Sequence, residues 1–335
     1  MVRITNLKVT FNIPYVKLRF CAEMLSDTHM PTSKTAALRG GMGEMILRQN
    51  CIMDRKCEKC RFNQVCVVRH TFYSSMKKKP AYVTGPESIG YLIECTDKRT
   101  EYKKGSTFEF SLILFGDSIA FFNIYLQAFC HLGMVGLGKY KSRFRICEVR
   151  NTINQRIVSD NNVDMSCYQI NLLSNYISFR KRELKQESGV WQLTFVTPLS
   201  MKYQQEYMER FYSEALVKGA ARRVQMLDYY IGIESEIPQF AEYPQITGQD
   251  MKKQYVKRYS STQDSHMTLQ GIIGSVTFDI IPEQCLDYLI AGEVTHIGKN
   301  TSFGFGKYII RRKDLSKCNQ RAQTDGFAEQ NGRDA

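Results

Sequence analysis

The chain has 335 residues, enough for two domains of ordinary size and a substantial hydrophobic core. Hydrophobic residues make up 43% and charged residues 24%, as in a typical globular protein, while 46 Lys and Arg against 33 Asp and Glu leave a net charge of +13. This surplus favours nucleic acid over a membrane surface as the partner, since the sequence has no apolar run of about 18 residues. Residues 1–20 lack the apolar core of a signal peptide, so we expect a cytoplasmic protein that binds no membrane.

The first half of the chain predicts strands and helices in the order β, α, β, β, α, β. The segments are strand-rich text at residues 5–24, a helix at 34–50, strands at 90–95 and 107–115, a helix at 119–132 and a strand at 144–149. Gly40, Gly41 and Gly43 are costly inside a helix, so we expect a backbone or a ligand to approach that face closely. The order is that of the split βαβ, or ferredoxin-like, plan.

The second half repeats this plan after a polar linker. Its segments are a strand at residues 191–197, a helix at 206–230, strands at 256–261 and 271–281, a helix at 283–291 and a strand at 308–310. Each half has a Gly/Lys loop between its last helix and last strand, Gly136-x-Gly138-Lys139-Tyr140 in one and Gly304-x-Gly306-Lys307-Tyr308 in the other. We predict an α+β fold with domains at 1–150 and 151–315, followed by a disordered tail at 316–335.

The stretch Gly292–Tyr308 places glycines among cations and hydroxyl groups. Its glycines are Gly292, Gly298, Gly304 and Gly306, and its polar residues include Lys299, Asn300, Thr301, Ser302 and Lys307. Glycine admits positive φ and close approach of a ligand, and successive amide groups in such a loop form a concave anion site. A plain hairpin turn is the alternative, since Gly and Asn also favour turns. Because a similar loop occurs twice in a basic chain, we interpret the stretch as an RNA cradle.

Four of the eleven cysteines lie within sixteen residues. They are Cys51, Cys57, Cys60 and Cys66, spaced C-x5-C-x2-C-x5-C. Four thiolates at such spacing close a tetrahedral site, and a filled tetrathiolate would be structural because no position remains for a substrate. Structural zinc is the preferred interpretation, with an iron–sulfur cluster or free thiols as alternatives.

Several stretches, taken in order, resemble a known family. They are Leu38-Arg39-Gly40, the cysteine-bearing insertion, residues 104–116 (KGSTFEFSLILFG), Gly136-Leu-Gly, residues 193–199 (LTFVTPL), Arg258-Tyr-Ser-Ser261 and residues 296–306 (HIGKNTSFGFG). Together they resemble the CRISPR repeat-processing endoribonucleases of the repeat-associated mysterious protein (RAMP) superfamily. The resemblance covers nearly the whole chain.

The resemblance implies two tandem ferredoxin-like (RRM-like) domains, with a Cys-rich insertion at about 51–85 in the first. It also implies that the protein cleaves precursor CRISPR RNA once per repeat without a metal cofactor. In that chemistry a ribose 2′-OH attacks the adjacent phosphate, which leaves a 2′,3′-cyclic phosphate and a 5′-OH. The implied partners are CRISPR repeat RNA and other CRISPR effector subunits. A non-catalytic RNA-binding subunit of an effector complex is the alternative function, and a zinc-dependent DNA-binding protein is a third.

Such a reaction needs a proton acceptor and donor near neutral pH, and histidine suits both tasks. The candidate catalytic residues are His29, His296 and Lys34, with an exposed loop residue and a loop brace as the alternatives for the two histidines. Many family members carry a catalytic His or Tyr within the first helix, and residues 34–50 have neither, so the identity of the base stays open. The candidate RNA-binding residues are Arg39, Lys139, Arg222, Arg223, Arg258, Gly298, Lys299, Asn300, Ser302, Gly304, Gly306 and Lys307.

Overall fold

The structure, a computed structural model, describes residues 7–8, 11–74, 76, 78–83, 89–159, 162–260 and 265–313. The predicted tail at 316–335 lies outside these residues. Within them the chain mixes helices with antiparallel sheets, as the predicted α+β class requires.

The first half builds one antiparallel sheet covered by two helices. Its main elements are β1 (Pro14–Met24), α1 (Thr35–Asn50), β2 (Tyr91–Glu94), β3 (Thr107–Phe115), α2 (Phe122–Val135) and β4 (Phe144–Arg150). The strand order is β2-β3-β1-β4, and the sheet continues through Arg156–Ser159 and Asn162–Val163. Alternate residues of β1, from Val16 to Met24, are buried, because a strand turns every second side chain to the same face.

The second half repeats this strand order after one additional helix. Its main elements are α3 (Leu173–Gln186), β5 (Val190–Leu199), α4 (Ser213–Tyr230), β6 (Ile246–Ser260), β7 (Ser265–Phe278), α5 (Glu283–Thr295) and β8 (Tyr308–Lys313). The order β6-β7-β5-β8 again places the first strand between the third and the fourth. Both sheets are therefore consistent with the ferredoxin-like plan, while the domain boundaries stay a prediction.

Short elements complete the described part. The strands are Leu7–Lys8, Thr28–His29, Glu101–Tyr102, Asn171–Leu172, Lys202–Tyr203, Glu206–Tyr207 and Ser235–Glu236. The 3-10 turns are Cys57–Lys59, Asn63–Val65, Gly116–Phe121, Met165–Cys167 and Thr301–Phe303, and Arg69–Tyr73 is a π-helical turn.

Two element predictions were wrong in detail. The helix predicted from residue 206 begins at Ser213, because residues 202–207 form a small hairpin first. The region before the second half, predicted as a polar linker, contains α3, whose side chains Leu173, Ile177 and Leu184 are buried. In both places the spacing of apolar residues was not enough to predict the element, because contacts with distant parts of the chain stabilise it.

The two halves share part of a hydrophobic core. Tyr15 on β1 and Ile113 and Phe115 on β3 are buried in one cluster with side chains of β5, α4 and α5. On the same two strands, Phe20 and Phe110 belong to a separate cluster beneath α1 and α2. One end of the outer face of the first sheet is therefore covered by the second half.

One helical stretch, Gly116–Val135, is long and apolar enough to cross a membrane by length and composition. Of its most apolar window, 44% is buried, and Phe122, Tyr125 and Phe129 pack beneath the first sheet. A buried core helix has the same composition, so this stretch is weak evidence for a membrane span.

Candidate active site and nucleic-acid interface

His29 lies exposed at the edge of the first half. The two-residue strand Thr28–His29 pairs with Glu101–Tyr102, which fixes the backbone on one side. On the other side, the Ser142 hydroxyl donates to the His29 carbonyl oxygen at 2.9 Å and contacts the Thr28 hydroxyl at 2.8 Å. The imidazole of His29 is therefore exposed to solvent, while its backbone is fixed by hydrogen bonds on both sides.

The first Gly/Lys loop lies beside this histidine. The Tyr140 ring lies 5.8 Å from the His29 ring, and the Lys139 ammonium lies 5.8 Å from the centre of the Tyr140 ring. Gly136 has φ +93°, and a Cβ there would collide with the Lys141 carbonyl, so this turn depends on glycine. The turn therefore brings an exposed imidazole, phenol and ammonium together on one surface.

Lys34, predicted as a catalytic residue, is fully buried. Its ammonium group donates to the carbonyl oxygens of Asp97 and Arg99 at 2.8 and 2.7 Å. Burial lowers the pKa of the Lys34 ammonium. The geometry gives Lys34 the task of fastening the start of α1 to the loop at 97–99, out of reach of a substrate.

His296 is also fully buried, at the end of α5. Its Nδ1 lies 3.0 Å from the Phe305 carbonyl oxygen, and its Nε2 lies 3.0 Å from Glu94 Oε1. With both ring nitrogens in hydrogen bonds, His296 has no nitrogen to offer to a ribose hydroxyl. The structure supports the alternative, in which this histidine braces the glycine loop.

Glu94, which the sequence did not single out, is the centre of this arrangement. Its Oε2 contacts the ammonium groups of Lys17 at 2.8 Å and Lys307 at 2.7 Å. Although burial opposes ionisation, the lysines and His296 hold the pKa of the Glu94 carboxyl well below its ordinary value. Burial lowers the pKa of His296, and its hydrogen bond to Glu94 opposes that shift. The sequence signal for Glu94 itself was an acidic side chain at the end of an apolar strand.

The glycines of the second Gly/Lys loop serve close packing inside the protein. Gly304, with φ +80°, lies against the Ile93 carbonyl and Thr35, and a Cβ at Gly306 would collide with the Ile297 carbonyl. Gly298 lies against the Ser200 carbonyl. The amides of Lys299 and Gly306 donate to backbone carbonyls. These contacts pack the loop against α1 and β2. We call this packed segment the joint; its backbone is occupied by contacts within the protein and does not form an open anion site.

Other predicted RNA contacts line the outside of this joint. Lys299 is exposed, with its ammonium 5.7 Å from the Tyr207 ring centre. Asn300 adopts φ +62°, and Ser302 is half-buried in the turn Thr301–Phe303. The Arg39 guanidinium lies between two rings, 4.4 Å from that of Phe72 and 4.7 Å from that of Phe303.

The neighbouring arginines of α4 have different surroundings. Arg222 is exposed and lies 5.6 Å from the Tyr82 ring centre. Arg223 is buried, and its Nε donates to the Thr295 carbonyl at the end of α5 at 3.0 Å. Helical periodicity therefore turns Arg223 inward, away from the surface on which Arg222 lies. The side chain of Arg258 lies outside the described part of the chain.

The four clustered cysteines line a single cavity of about 500 Å³. They stand on irregular turns between Cys51 and Cys66, and Cys57 is exposed. Among the described residues, no group of three or more Cys, His, Asp or Glu side chains is placed to hold a metal ion. The predicted zinc site is therefore not supported, because these turns spread the thiols around a cavity instead of converging them.

Two family models together match most of the chain. Residues 13–169 match a family described as an N-terminal domain, and residues 193–308 match the CRISPR-associated endoribonuclease Cas6 family. No curated protein matches the chain.

Solved structures of Cas6 proteins share the fold at low identity. A chain of a partial Cas6-RT-Cas1–Cas2 complex is 15% identical with a TM-score of 0.56. The match covers 90% of the present chain and 46% of the solved chain. A further Cas6-RT-Cas1–Cas2 complex has the same identity and TM-score, with coverage of 90% and 29%. Thermus thermophilus Cas6 is 10% identical with a TM-score of 0.45, and the match covers 88% of this chain and 98% of the Thermus chain.

The present chain thus spans less than half the length of the fused solved chains that it matches at a TM-score of 0.56. What those chains share with it at 15% identity is the fold. Residues 193–308 therefore resemble the CRISPR-associated endoribonuclease Cas6 family, and the chain shares its fold with solved chains that contain Cas6.

Proposed function

We propose that this protein is a metal-independent endoribonuclease that cleaves precursor CRISPR RNA within each repeat. It binds the repeat through its basic surface, and the 2′-OH of one nucleotide attacks the adjacent phosphate. The products are a 2′,3′-cyclic phosphate and a 5′-OH end. Two tandem ferredoxin-like domains provide the scaffold, and other CRISPR effector subunits are its proposed protein partners.

The observation that carries this proposal is the exposed His29 beside Lys139 and Tyr140, in a chain with a Cas6 domain. Of the three predicted catalytic residues, Lys34 and His296 are fully buried. His29 is the one that a substrate reaches. Basic side chains also stand nearby, since Lys139 and Lys141 are exposed on the adjacent turn.

In the proposed reaction, neutral His29 accepts the proton of the 2′-OH. Lys139 stabilises the negative charge that grows on the phosphate oxygens, because an ammonium group interacts more strongly with the transition state than with the ground state. Protonated His29, or a water molecule, returns a proton to the departing 5′ oxygen. Tyr140 limits the orientation of the imidazole and offers a ring face to a neighbouring base.

The test is to incubate the wild type and a His29→Ala variant with cognate repeat RNA in EDTA. Wild type is expected to cut once per repeat, and the 5′ ends of its products should accept phosphate from a kinase without prior phosphatase treatment. The variant should bind RNA normally and cut at least about 100-fold more slowly. His70→Ala is the control, since His70 is a half-buried histidine bonded to the Gln64 carbonyl and stacked on Phe121, away from the His29 site.

Three outcomes would count against the proposal. Full cleavage by His29→Ala would remove His29 as the base. Tight binding of repeat RNA by the wild type without any cut product would instead establish the non-catalytic RNA-binding subunit. Cleavage that stops in EDTA and resumes with added metal would overturn the metal-independent chemistry.

A further inference from the structure

Two lysines from different halves of the chain share one carboxylate oxygen. Lys17 lies on β1 and Lys307 directly precedes β8, and both ammonium groups contact Glu94 Oε2, at 2.8 and 2.7 Å. The other oxygen of Glu94 is bonded to His296. The two ammonium groups are therefore direct neighbours.

The charges in this cluster do not cancel. Glu94 contributes one negative charge, whereas the two lysines contribute two positive charges. The two ammonium groups that contact this oxygen repel each other, and the repulsion is stronger where the protein partly excludes water. A second anion that contacts both ammonium groups would relieve it.

The cluster is open on the side of the lysines only. The side chains of Glu94 and His296 are 5% and 0% exposed, whereas those of Lys17 and Lys307 are 31% and 17% exposed. A solvent-borne anion can thus approach the ammonium groups but cannot displace the carboxylate beneath them.

The same face of the first sheet continues the positive surface. Arg19 is two residues along β1 from Lys17, so its side chain leaves the sheet on the same side, and it is exposed. Ser111 pairs with both Arg19 and Glu94, which places these three residues in one row across three strands. The Arg19 guanidinium contacts the Asn154 side chain and remains at the surface.

We propose that Lys17 and Lys307, held together by Glu94, bind a backbone phosphate of the RNA, with Arg19 contacting the next phosphate along the same sheet face. This inference rests on the proposed function, because it takes RNA as the ligand. It assigns a binding role to Lys17 and Arg19, and it gives Glu94 the role of positioning residue.

The experiment measures the affinity of the full chain for single-stranded oligo-uridine RNA over a series of salt concentrations. A phosphate contact contributes to the slope of log affinity against log salt, by about 0.7 for each phosphate of a single strand. Lys17→Met and Arg19→Met are each expected to reduce the slope by about that amount. Lys17→Arg should keep the wild-type slope because it keeps the charge.

Lys181→Met is the matched control, since Lys181 on α3 is also a partly exposed, ion-paired lysine, but its single charge lies between two carboxylates, Glu283 and Asp287. It should leave the slope unchanged. Wild-type slopes in both Lys17→Met and Arg19→Met would overturn the inference, as would an equal reduction in Lys181→Met. Arg19 is exposed, so its variant keeps the test valid if Lys17→Met folds poorly. Absence of RNA binding by the wild type would overturn the proposed function together with the inference, which distinguishes the two failures.

Discussion

Identical side chains have opposite tasks in this protein, depending on their surroundings. His29 is exposed beside Tyr140, whereas His296 is sealed between Glu94 and the Phe305 carbonyl. Burial lowers the pKa of His296, and the neighbouring lysines and His296 lower the pKa of the Glu94 carboxyl against the effect of burial. The first histidine is suited to proton transfer with a substrate, and the second to holding a loop.

The buried pair predicts acid sensitivity. The pKa of folded His296 lies below its ordinary value of 6.5, so the unfolded chain binds the proton more readily, and the free energy of unfolding falls as the pH drops below 6.5. The pKa of Glu94 lies below 4.5, which adds a further loss at lower pH. Above about pH 7 both contributions are complete.

Denaturant titrations at several values between about pH 7.5 and about pH 5 would measure this loss. A His296→Asn variant keeps a polar side chain without a titrating ring, so its stability should depend less on pH over this range. An unchanged pH dependence in the variant would contradict the assignment.

Adjacent arginines on α4 offer a second comparison. Arg223→Met removes a buried charged donor to the Thr295 carbonyl and should lower the free energy of unfolding by about 1.5–3 kcal/mol. Arg222→Met should leave stability unchanged, because Arg222 is exposed, but should weaken RNA binding. Equal loss of stability in the two variants, measured by urea unfolding, would argue against the buried link.

At the scale of elements, glycine has a different use in each place. In α1, Gly41 lies against Leu132 and Gly43 against Phe72, which explains why a helix carries them, while Gly40 faces open space. Gly306 and its neighbours let the second Gly/Lys loop lie directly on other backbone segments. Two of the three helix glycines thus have a close neighbour as predicted, but the neighbours are side chains and not the predicted backbone or ligand.

These surroundings predict opposite effects of the same substitution. Gly40→Ala should stabilise the protein by about 0.5–1 kcal/mol, because alanine favours the helix and meets no neighbour. Gly306→Ala should destabilise it strongly, since φ +72° and the Ile297 carbonyl both oppose a side chain. Thermal unfolding measures both, and a Gly306→Ala variant as stable as the wild type would contradict the close packing.

At the scale of the whole molecule, the two sheets are joined by apolar packing and by charge. Tyr15, Ile113 and Phe115 place one end of the first sheet in the core of the second half. Glu94 and Lys17 connect the same sheet to Lys307 beside β8. We therefore expect the halves to unfold together.

The single tryptophan, Trp191 on β5, reports on the second half alone. Phe20→Ala opens a cavity in the first core, which should cost about 3–5 kcal/mol. If unfolding is cooperative, the Trp191 fluorescence transition shifts as far as the far-ultraviolet circular dichroism transition. A fluorescence midpoint that stays at the wild-type value would show that the halves unfold independently.

Most of the element plan, apart from α3 and the start of α4, could be predicted from the sequence, because strand alternation, helical spacing and glycine turns are local signals. The β, α, β, β, α, β order in each half, the two Gly/Lys loops and the net positive charge all come from such signals, as does the family resemblance. Local patterns also singled out His29 and Lys139, which the fold then brought together.

Tertiary structure alone decided which polar residues face solvent. Lys34, Arg223 and His296 have the residue types of functional groups, yet all three are buried, because burial depends on which face of an element meets its neighbours. Glu94 and Lys17 lie 77 positions apart and carry no motif, so only the pairing of β1, β3 and β2 places them together. Side-chain chemistry can be read from the chain, but the distances that turn chemistry into a site are set by long-range packing.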